Sequence, residues 1–356
     1  MTMTVAEMRA ALAETHRPRV RDDERAAHRL RGAAVLLALV ERDAGWSVIL
    51  QQRSQALAAH RGQIALPGGA VESGETEIEA ALLAGEADIA VHSYKDLPSA
   101  THPNAVVAGV LPRANPADVL VVGITQAASM AGDRAAAGLA ALGAMPPATR
   151  VGTSSPRRSA LLAHYAPHVV AEQVRGNVGT RIAHCRDGKP PAIVLAAAGL
   201  DRLHHGEAPA DLGRDDHPPT PLLDGMRAIP LPPQSWHPAP AQGALALQVA
   251  AGSPVRGVVA AIDHAPTRQA VALERACLAA LGGGCAQAVG AWAEWLGDGR
   301  WRLHLGYAQG GRWHARVATD TVERLQALVA EWGAGGPAPG SVPPGRGWHD
   351  PTGGGD

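Results

Sequence analysis

Several features that would fix the class of this protein are missing from its 356 residues. Only three cysteines occur and none forms a CxxC pair, which excludes a disulfide framework. No apolar run reaches the roughly eighteen residues of a membrane span, and no apolar segment typical of a signal peptide lies near the start. The 32 basic and 33 acidic residues nearly cancel, so no overall field attracts nucleic acid. These absences predict a reduced, cytoplasmic protein without a membrane or nucleic-acid partner.

Phenylalanine is absent altogether, although the chain has eight tryptophans. Aliphatic side chains must therefore supply most of the core volume. With 46% hydrophobic and 18% charged residues the composition is that of a globular protein. The length allows two or three domains.

Short apolar runs that are typical of buried strands alternate with helical patterns along most of the chain. This alternation predicts an α/β protein with parallel or mixed sheets. An earlier pair of apolar runs around Asp43-Ala44-Gly45 predicts a β-hairpin. The predicted strands are 87–93, 105–111, 118–123, 149–155, 192–200, 300–308 and 312–320, and the predicted helices are 76–85, 126–143 and 267–284.

The segment VGTSSPRRSALL, residues 151–162, leads from a predicted strand into a helix. Thr153, Ser154 and Ser155 can cap that helix, whose free N–H groups attract anions. Arg157 and Arg158 fall in its first turn, where a positive charge opposes the helix dipole. An anionic ligand is the simplest reason for arginine at these positions.

The segment VRGNVGTR, residues 174–181, has a similar design. Gly176 lets the backbone approach a ligand, Asn177 follows it, and Arg175 and Arg181 flank them. Residues 150–181, which include both loops, carry five arginines with the single acidic residue Glu172. This predicts a carboxylate or phosphate site, because the guanidinium fork suits such anions. The alternative is a solvated basic face paired with acids elsewhere. Nucleic acid is disfavoured because no aromatic platform lies nearby.

A third candidate site, DIAVHSYKDLP, follows a predicted buried strand. Ser93, Lys95 and Asp96 lie where α/β proteins place their sites. Asp96 could take up a proton or stabilise a developing cation, or it could simply form a turn before Pro98.

Cys285 follows three glycines in LGGGCAQAVG. An open loop favours a reactive or covalently modified thiol, and the alternative is an ordinary small residue in a turn. No spacing of metal ligands occurs, so no metal is predicted.

Six segments, taken together and in this order, resemble the porphobilinogen deaminase family over residues 77 to 335. They are DIAVHSYKDLP, VGTSSPRRSALL, VRGNVGTRI, AIVLAAAGLDRL, PAPAQGALALQ and ERACLAALGGGCAQAVGA. The resemblance implies stepwise condensation of four porphobilinogen molecules to hydroxymethylbilane with release of ammonia. It also implies two periplasmic-binding-protein-like α/β domains, the first hybrid and incomplete, and a small α+β C-terminal domain.

The resemblance also implies roles for individual residues. Cys285 would carry a covalent dipyrromethane cofactor, and Asp96 would stabilise the azafulvenium cation formed as ammonia leaves. The other cofactor-binding positions implied are Ser93, Lys95, Thr153, Ser154, Ser155, Arg157 and Arg158. The substrate-binding positions implied are Arg175, Gly176, Asn177 and Arg181.

Residues 31–76 instead resemble part of a Nudix hydrolase of the coenzyme A pyrophosphatase-like branch. Gly69 and Glu75 match the start of the Nudix box, but only Glu86 remains of its metal-binding acids. This segment replaces the opening of the deaminase pattern, so a non-catalytic remnant that binds anionic tetrapyrroles or nothing is one alternative function, and a Nudix diphosphate hydrolase is another.

The resemblances divide the chain into six parts, and the protein is expected to be a monomer. The parts are a polar segment 1–30, a Nudix-like segment 31–76, a domain 1 remnant 77–112 with 241–262, domain 2 at 113–240, a C-terminal cofactor-cysteine domain 263–335 and a disordered tail 336–356.

Overall fold

The computed structural model describes only part of the chain. The described residues are 87–99, 103–124, 137–203, 223–282, 287–335 and 347–349, together with Leu82 and four short strands before residue 66. Cys285, residues 1–30 and all of the predicted helix 76–85 except Leu82 lie outside them.

The strands and helices of these residues follow one another in chain order. They are β1 (Leu39–Arg42), β2 (Gly45–Val48), β3 (Gln51–Gln52), β4 (Ile64–Ala65), β5 (Ala90–Ser93), β6 (Ala105–Val110), β7 (Asp118–Gly123), α1 (Ala137–Gly143), β8 (Arg150–Gly152), α2 (Pro156–Tyr165), β9 (Val170–Glu172), α3 (Val178–Arg186), β10 (Ala192–Ala196), α4 (Ala197–Asp201), β11 (Met226–Leu231), β12 (Leu245–Ala250), α5 (Arg256–Ala261), α6 (Ala265–Ala280), β13 (Val289–Gly297), β14 (Arg300–Gln309), β15 (Arg312–Thr321) and α7 (Val322–Gly335).

The predicted early hairpin is confirmed. β1 and β2 pair in antiparallel fashion, with Arg42 opposite Gly45, so two residues connect them. A second short antiparallel pair joins β3 to β4.

The chain divides into two compact units. The first comprises residues 1–92, 101–109 and 246–262, and the second comprises 93–100, 110–245 and 263–356. A three-stranded sheet in the order β5-β12-β6 lies mainly in the first unit. Close packing of α5 on this sheet requires Gly109, because a Cβ there would lie 2.8 Å from the Val259 carbonyl oxygen.

A five-stranded sheet in the order β11-β7-β10-β8-β9 forms the centre of the second unit. β8 is parallel to β9 and β10, whereas β7 is antiparallel to β10 and β11, so the predicted mixed α/β architecture is confirmed. Leu120 and Val122 pack into one hydrophobic cluster and Val119 and Val121 into another. The sheet is therefore covered on both faces, which explains the unbroken apolar run of β7.

The C-terminal part of the second unit is an antiparallel sheet, β13-β14-β15, packed against α6 and α7. Trp301, Leu303, Leu305 and Tyr307 alternate along β14 and are all buried. The antiparallel pairing of β14 with β15 confirms the predicted hairpin. His304 and Gly306 on the other face of β14 are buried too, so the expectation of a half-buried hairpin is wrong for its middle part. Sequence reasoning missed β13, which completes the sheet.

Several predicted bounds differ from those observed. The predicted strands 87–93 and 149–155 are shorter, Ala90–Ser93 and Arg150–Gly152. The segment 192–200 is predicted to be one strand, but the strand ends at Ala196 and α4 follows. The helix predicted to reach residue 284 ends at Ala280, and Gly282 then adopts a φ of +94°. Within the predicted tail 336–356, His349 pairs with Val317 of β15 through two backbone hydrogen bonds of 2.8 Å. The other described tail residues are 347 and 348.

None of the helices in the described part of the chain is long and apolar enough to cross a membrane. The core of the described residues is mainly aliphatic, as the missing phenylalanine predicts. Trp236 is the bulkiest of the fully buried side chains in this core.

Candidate functional site

A cavity of about 380 Å³ lies within the second unit, at the ends of several of its elements. The turn after β5, the start of α2 and the segment before β12 supply most of its wall. The residues that line it are Lys95, Asp96, Leu97, Pro98, Ser99, Ser155, Pro156, Arg157, Arg158, Ala239, Pro240, Gln242, Leu278, Gln287 and Val289.

A single arginine of α6 holds the turn that carries Asp96. The Arg275 guanidinium donates hydrogen bonds to the carbonyl oxygens of Tyr94, Leu97 and Pro98, at 3.3 Å and 2.9 Å for the first two. It also lies 4.7 Å from the centre of the Tyr94 ring. Asp96 is exposed and borders the cavity, so this turn presents an accessible carboxylate on a fixed backbone.

Arg157 and Arg158, which the sequence predicts to face an anion, are buried and share a carboxylate of the protein itself. Asp118 is fully buried and accepts hydrogen bonds from Arg157 Nη2 at 2.9 Å and from Arg158 Nη2 at 2.6 Å. Arg158 Nε donates to the same carboxylate at 3.2 Å. The two guanidinium groups exceed this carboxylate by one positive charge, so the floor of the cavity remains basic.

Two further donors complete the environment of Asp118. Trp236 Nε1 donates to it at 3.0 Å and Gln242 Nε2 at 2.8 Å. Burial alone would raise the pKa of Asp118, but Arg157 and Arg158 hold it far below its ordinary range. The carboxylate is therefore ionised at neutral pH and fixes both arginines.

The Arg157 Nε is buried and has no hydrogen-bond partner among the described residues. Its Nη1 donates to the His237 carbonyl at 2.7 Å, and burial lowers the pKa of Arg157. This nitrogen is thus an unsatisfied donor beneath the cavity surface.

Lys95 adds a second basic group to the cavity. Its Nζ donates to Gln242 Oε1 at 3.4 Å, which connects it to the Asp118 network. Burial, followed by repulsion from Arg158, lowers the pKa of Lys95 to about 8. The ammonium still carries most of its charge at pH 7, so a carboxylate ligand would find it protonated.

The hydroxyl residues at the start of α2 serve mainly the local backbone. Ser155 caps the helix by accepting from Arg158 N at 3.5 Å, so the predicted cap is confirmed for this residue. Thr153 Oγ1 accepts from Ser155 N at 3.1 Å, and Ser154 Oγ donates to the Val174 carbonyl at 2.5 Å. Of the three predicted hydroxyl residues, Ser155 borders the cavity, whereas Thr153 and Ser154 are not part of its wall.

The second arginine loop lies beside the cavity wall rather than in it. Asn177 caps α3 by accepting from Thr180 N at 2.8 Å, and Gly176 has a φ of +105°. Arg181 Nε donates to the Gly176 carbonyl at 2.7 Å, and Arg175 is exposed. None of the four predicted substrate-binding residues lines the cavity, and neither does Ser93 of β5. After burial, repulsion from Arg158 lowers the pKa of Arg181, which places this loop within electrostatic reach of the cavity.

The loop that contains Cys285 is described only at its two ends. Leu278 before it and Gln287 after it both line the cavity. The other two cysteines are buried in the core. Burial raises the pKa of Cys185 to about 12, and burial together with the negative charge of Glu274 raises the pKa of Cys277. Neither thiol is therefore available as a thiolate near neutral pH.

A family model described as "Porphobilinogen deaminase, dipyromethane cofactor binding domain" matches residues 72–255 of this chain. The chain belongs to the porphobilinogen deaminase family. The match begins inside the segment 31–76, and it contains Asp118 and every residue predicted for the site except Cys285.

Curated members of the porphobilinogen deaminase family align with most of the chain. The protein named porphobilinogen deaminase from Acidothermus cellulolyticus is 40% identical over 220 residues, which are 60% of this chain and 57% of that protein. Those of the same name from Sphingopyxis alaskensis and Stenotrophomonas maltophilia are each 40% identical, over 64% and 66% of this chain and 63% and 68% of theirs. The chain thus spans less than two thirds of the length of the first two relatives.

Sequence reasoning missed the residues beneath the cavity that hold the site residues in place. Asp118 opens an otherwise apolar strand, and an acid in that position was the one visible signal of a buried ion pair. Gln242 lies within PAPAQGALALQ, which matched the family without an assigned role. Arg275 likewise lies within ERACLAALGGGCAQAVGA without an assigned role, because a contact between a helix and a turn 178 residues away leaves no local pattern.

Proposed function

We propose that this chain acts as a porphobilinogen deaminase, which condenses porphobilinogen to hydroxymethylbilane with release of ammonia. The observation that carries this proposal is the cavity that joins Asp96, Lys95, Arg157 and Arg158. An exposed carboxylate and a basic floor in one cavity suit a substrate that carries carboxylates and develops positive charge.

The residues present fit a dipyrromethane cofactor. Pyrrole side chains that end in carboxylates need hydrogen-bond donors and positive charge. The Lys95 ammonium and the Ser155 hydroxyl supply donors at the cavity, and Arg157 and Arg158 supply positive charge beneath them. Cys285 is two residues from Gln287, and two residues of chain span at most about 7 Å, so the proposal places the thiol near the cavity wall. When bound, the cofactor would supply the primer to which substrate units are added.

Asp96 would act on the substrate rather than on the protein. Its carboxylate is exposed at the cavity while Arg275 fixes its backbone, so it can accept hydrogen bonds from pyrrole N–H groups. The same negative charge would stabilise the cation that forms as ammonia leaves. Removal of the charge should therefore affect turnover more than it affects binding.

Lys95, Arg157 and Arg158 would hold carboxylates at the inner end of the cavity, with Ser93, Thr153 and Ser154 supporting them. Arg175, Gly176, Asn177 and Arg181 would receive the acidic side chains of the growing product. The support for this second group is the lowered pKa of Arg181, which results from burial and from Arg158.

The test combines intact mass with porphobilinogen consumption. Asp96→Asn should keep a mass increment for dipyrromethane and lose at least about a hundredfold in consumption, as expected for removal of one electrostatic group. Cys285→Ser should lose both the increment and the activity. The matched control is Cys185→Ser, since Cys185 is a buried thiol with a raised pKa and should retain the increment. A bare mass for the unaltered chain, or an increment that persists in Cys285→Ser, contradicts the proposal.

We also propose that residues 31–76 are a remnant of a Nudix hydrolase and that the deaminase-like parts of the chain begin at about residue 77, although the family model already matches from residue 72. The two short antiparallel pairs β1–β2 and β3–β4 support this, because a Nudix fold requires strands in this part of the chain. Since only Glu86 of the metal-binding acids remains, the chain should not hydrolyse coenzyme A in the presence of magnesium. Release of phosphate-containing products would refute the assignment as a remnant. Sedimentation should show the monomer expected from the resemblance.

A further inference from the structure

A second cavity, also of about 380 Å³, lies in the second unit apart from the cavity that Asp96 borders. It is formed by the C-terminal end of α2, the segment 234–237 before β12, and the first half of β15. The two cavities have no lining residue in common. A volume of this size is sufficient for a small organic or inorganic ligand.

The wall of the second cavity is basic. Arg312, His314 and Arg316 follow one another at alternate positions of β15, and His164 of α2 lies opposite them. Among the described residues that line the cavity, none is acidic. Burial, followed by repulsion from Arg312 and His314, lowers the pKa of His164, so these groups are close enough to repel one another.

One buried ring of the same wall lacks a hydrogen-bond partner among the described residues, the Trp313 indole, whose Nε1 has none and which is 7% exposed. The neighbouring His237 is fully buried, and burial, then His304 and Arg157, lower its pKa to about 3, while a hydrogen bond with the Ser235 backbone acts in the opposite direction. Its ring is thus neutral and adds no positive charge to the wall.

An unpartnered indole N–H beside two arginines, with no acidic group among the described lining residues, favours an anion as the ligand. We propose that this second cavity binds a small anion with phosphate or carboxylate groups. Arg312 is the principal contact, because it is exposed and lies at the end of β15. Arg316 also donates to the Ala315 carbonyl at 2.7 Å, which holds its guanidinium beside the strand.

The test is calorimetric titration of the full chain with inorganic phosphate and, separately, with succinate, against sodium chloride of equal ionic strength. The two arms distinguish a phosphate ligand from a dicarboxylate. Arg312→Gln should lower the affinity for the anion about tenfold, because one charge-assisted hydrogen bond is lost. Arg300→Gln is the matched control, since Arg300 is an exposed arginine of the neighbouring strand outside the cavity and should bind as the unaltered chain does.

A further variant separates the two cavities. Lys95→Gln alters the first cavity only. The anion whose binding is weakened by Arg312→Gln should therefore bind to Lys95→Gln with unchanged affinity. The imidazole signal of His164, assigned by its loss in His164→Gln, should titrate at higher pH with phosphate present. Porphobilinogen consumption should be unchanged in Arg312→Gln. The proposal would be overturned if neither phosphate nor succinate binds, or if Arg312→Gln and Arg300→Gln lose affinity for the anion equally.

Discussion

Replacement of Asp118 by asparagine is the most direct test of how the first cavity is built. The carboxylate is fully buried and accepts five hydrogen bonds, from Arg157, Arg158 (two), Trp236 and Gln242. Asp118→Asn leaves two buried guanidinium groups without a counter-charge and points an N–H donor at other donors. Breaking a buried ion pair on one side costs ~3–5 kcal/mol, so the free energy of unfolding should fall by about that amount.

The assay is urea unfolding at pH 7, followed by tryptophan fluorescence, with Asp298→Asn as the control. Asp298 forms an ion pair with Arg300 at 3.6 Å, but both side chains are largely exposed, so this variant should change little. A loss for Asp118→Asn no greater than that for Asp298→Asn would refute the idea that this carboxylate holds the cavity floor.

The pH dependence of the same variant checks the sign of the argument. The folded-state pKa of Asp118 is lowered, so the stability it contributes is present above the unfolded pKa of about 3.9 and is lost as pH falls through the folded value. The difference between the unaltered chain and Asp118→Asn should therefore be constant from about pH 5 to pH 8. It should shrink only in stronger acid.

Two further predictions concern Lys95 and Gly306. Burial and Arg158 lower the pKa of Lys95 to about 8, so its acetylation rate should rise steeply between about pH 7 and pH 9, measured by peptide mapping against Lys189, the only other lysine. An acetylation rate of Lys95 that stays flat until about pH 10 would contradict this prediction. Gly306→Ala should lower the free energy of unfolding by ~1–3 kcal/mol, because a Cβ there would lie 2.3 Å from Trp313 Cζ2. In Gly257→Ala, a helix position with open space, stability should instead rise by ~0.5–1 kcal/mol, and equal effects of the two changes would count against the packing argument.

Local patterns predicted most of the described elements because each leaves a signal in adjacent residues. The run Val119–Val122 is apolar since both faces of β7 are covered. The alternation along β14 marks only one of its two covered faces, because His304 and Gly306 are buried as well. The bound at Ala196 was wrong because the apolar run continues without a break into α4, and hydrophobicity alone does not separate a buried strand from a buried helix.

Some residues of the candidate site could likewise be predicted from local sequence, whereas their partners, which are distant in sequence, could not. Residues that present a charge or a hydroxyl group at a strand end, such as Asp96 and Ser155, could be found from sequence, and both border the cavity. The partners that determine how such groups behave could not. Asp118 lies 39 residues from Arg157, and Arg275 lies 181 from Tyr94, so only the folded chain brings each pair together.

This distinction changes what the two arginines at the start of α2 indicate. From sequence, Arg157 and Arg158 required an outside anion, because cations in the first turn oppose the helix dipole. The structure supplies an inside one, Asp118, whose single charge is smaller than theirs. A floor that is fixed by a protein carboxylate yet remains positive can receive an acidic ligand without the rearrangement that two unpaired guanidinium groups would need. Preorganisation of this kind is what an electrostatic site requires, since its positive charge is already fixed in place before an acidic ligand arrives.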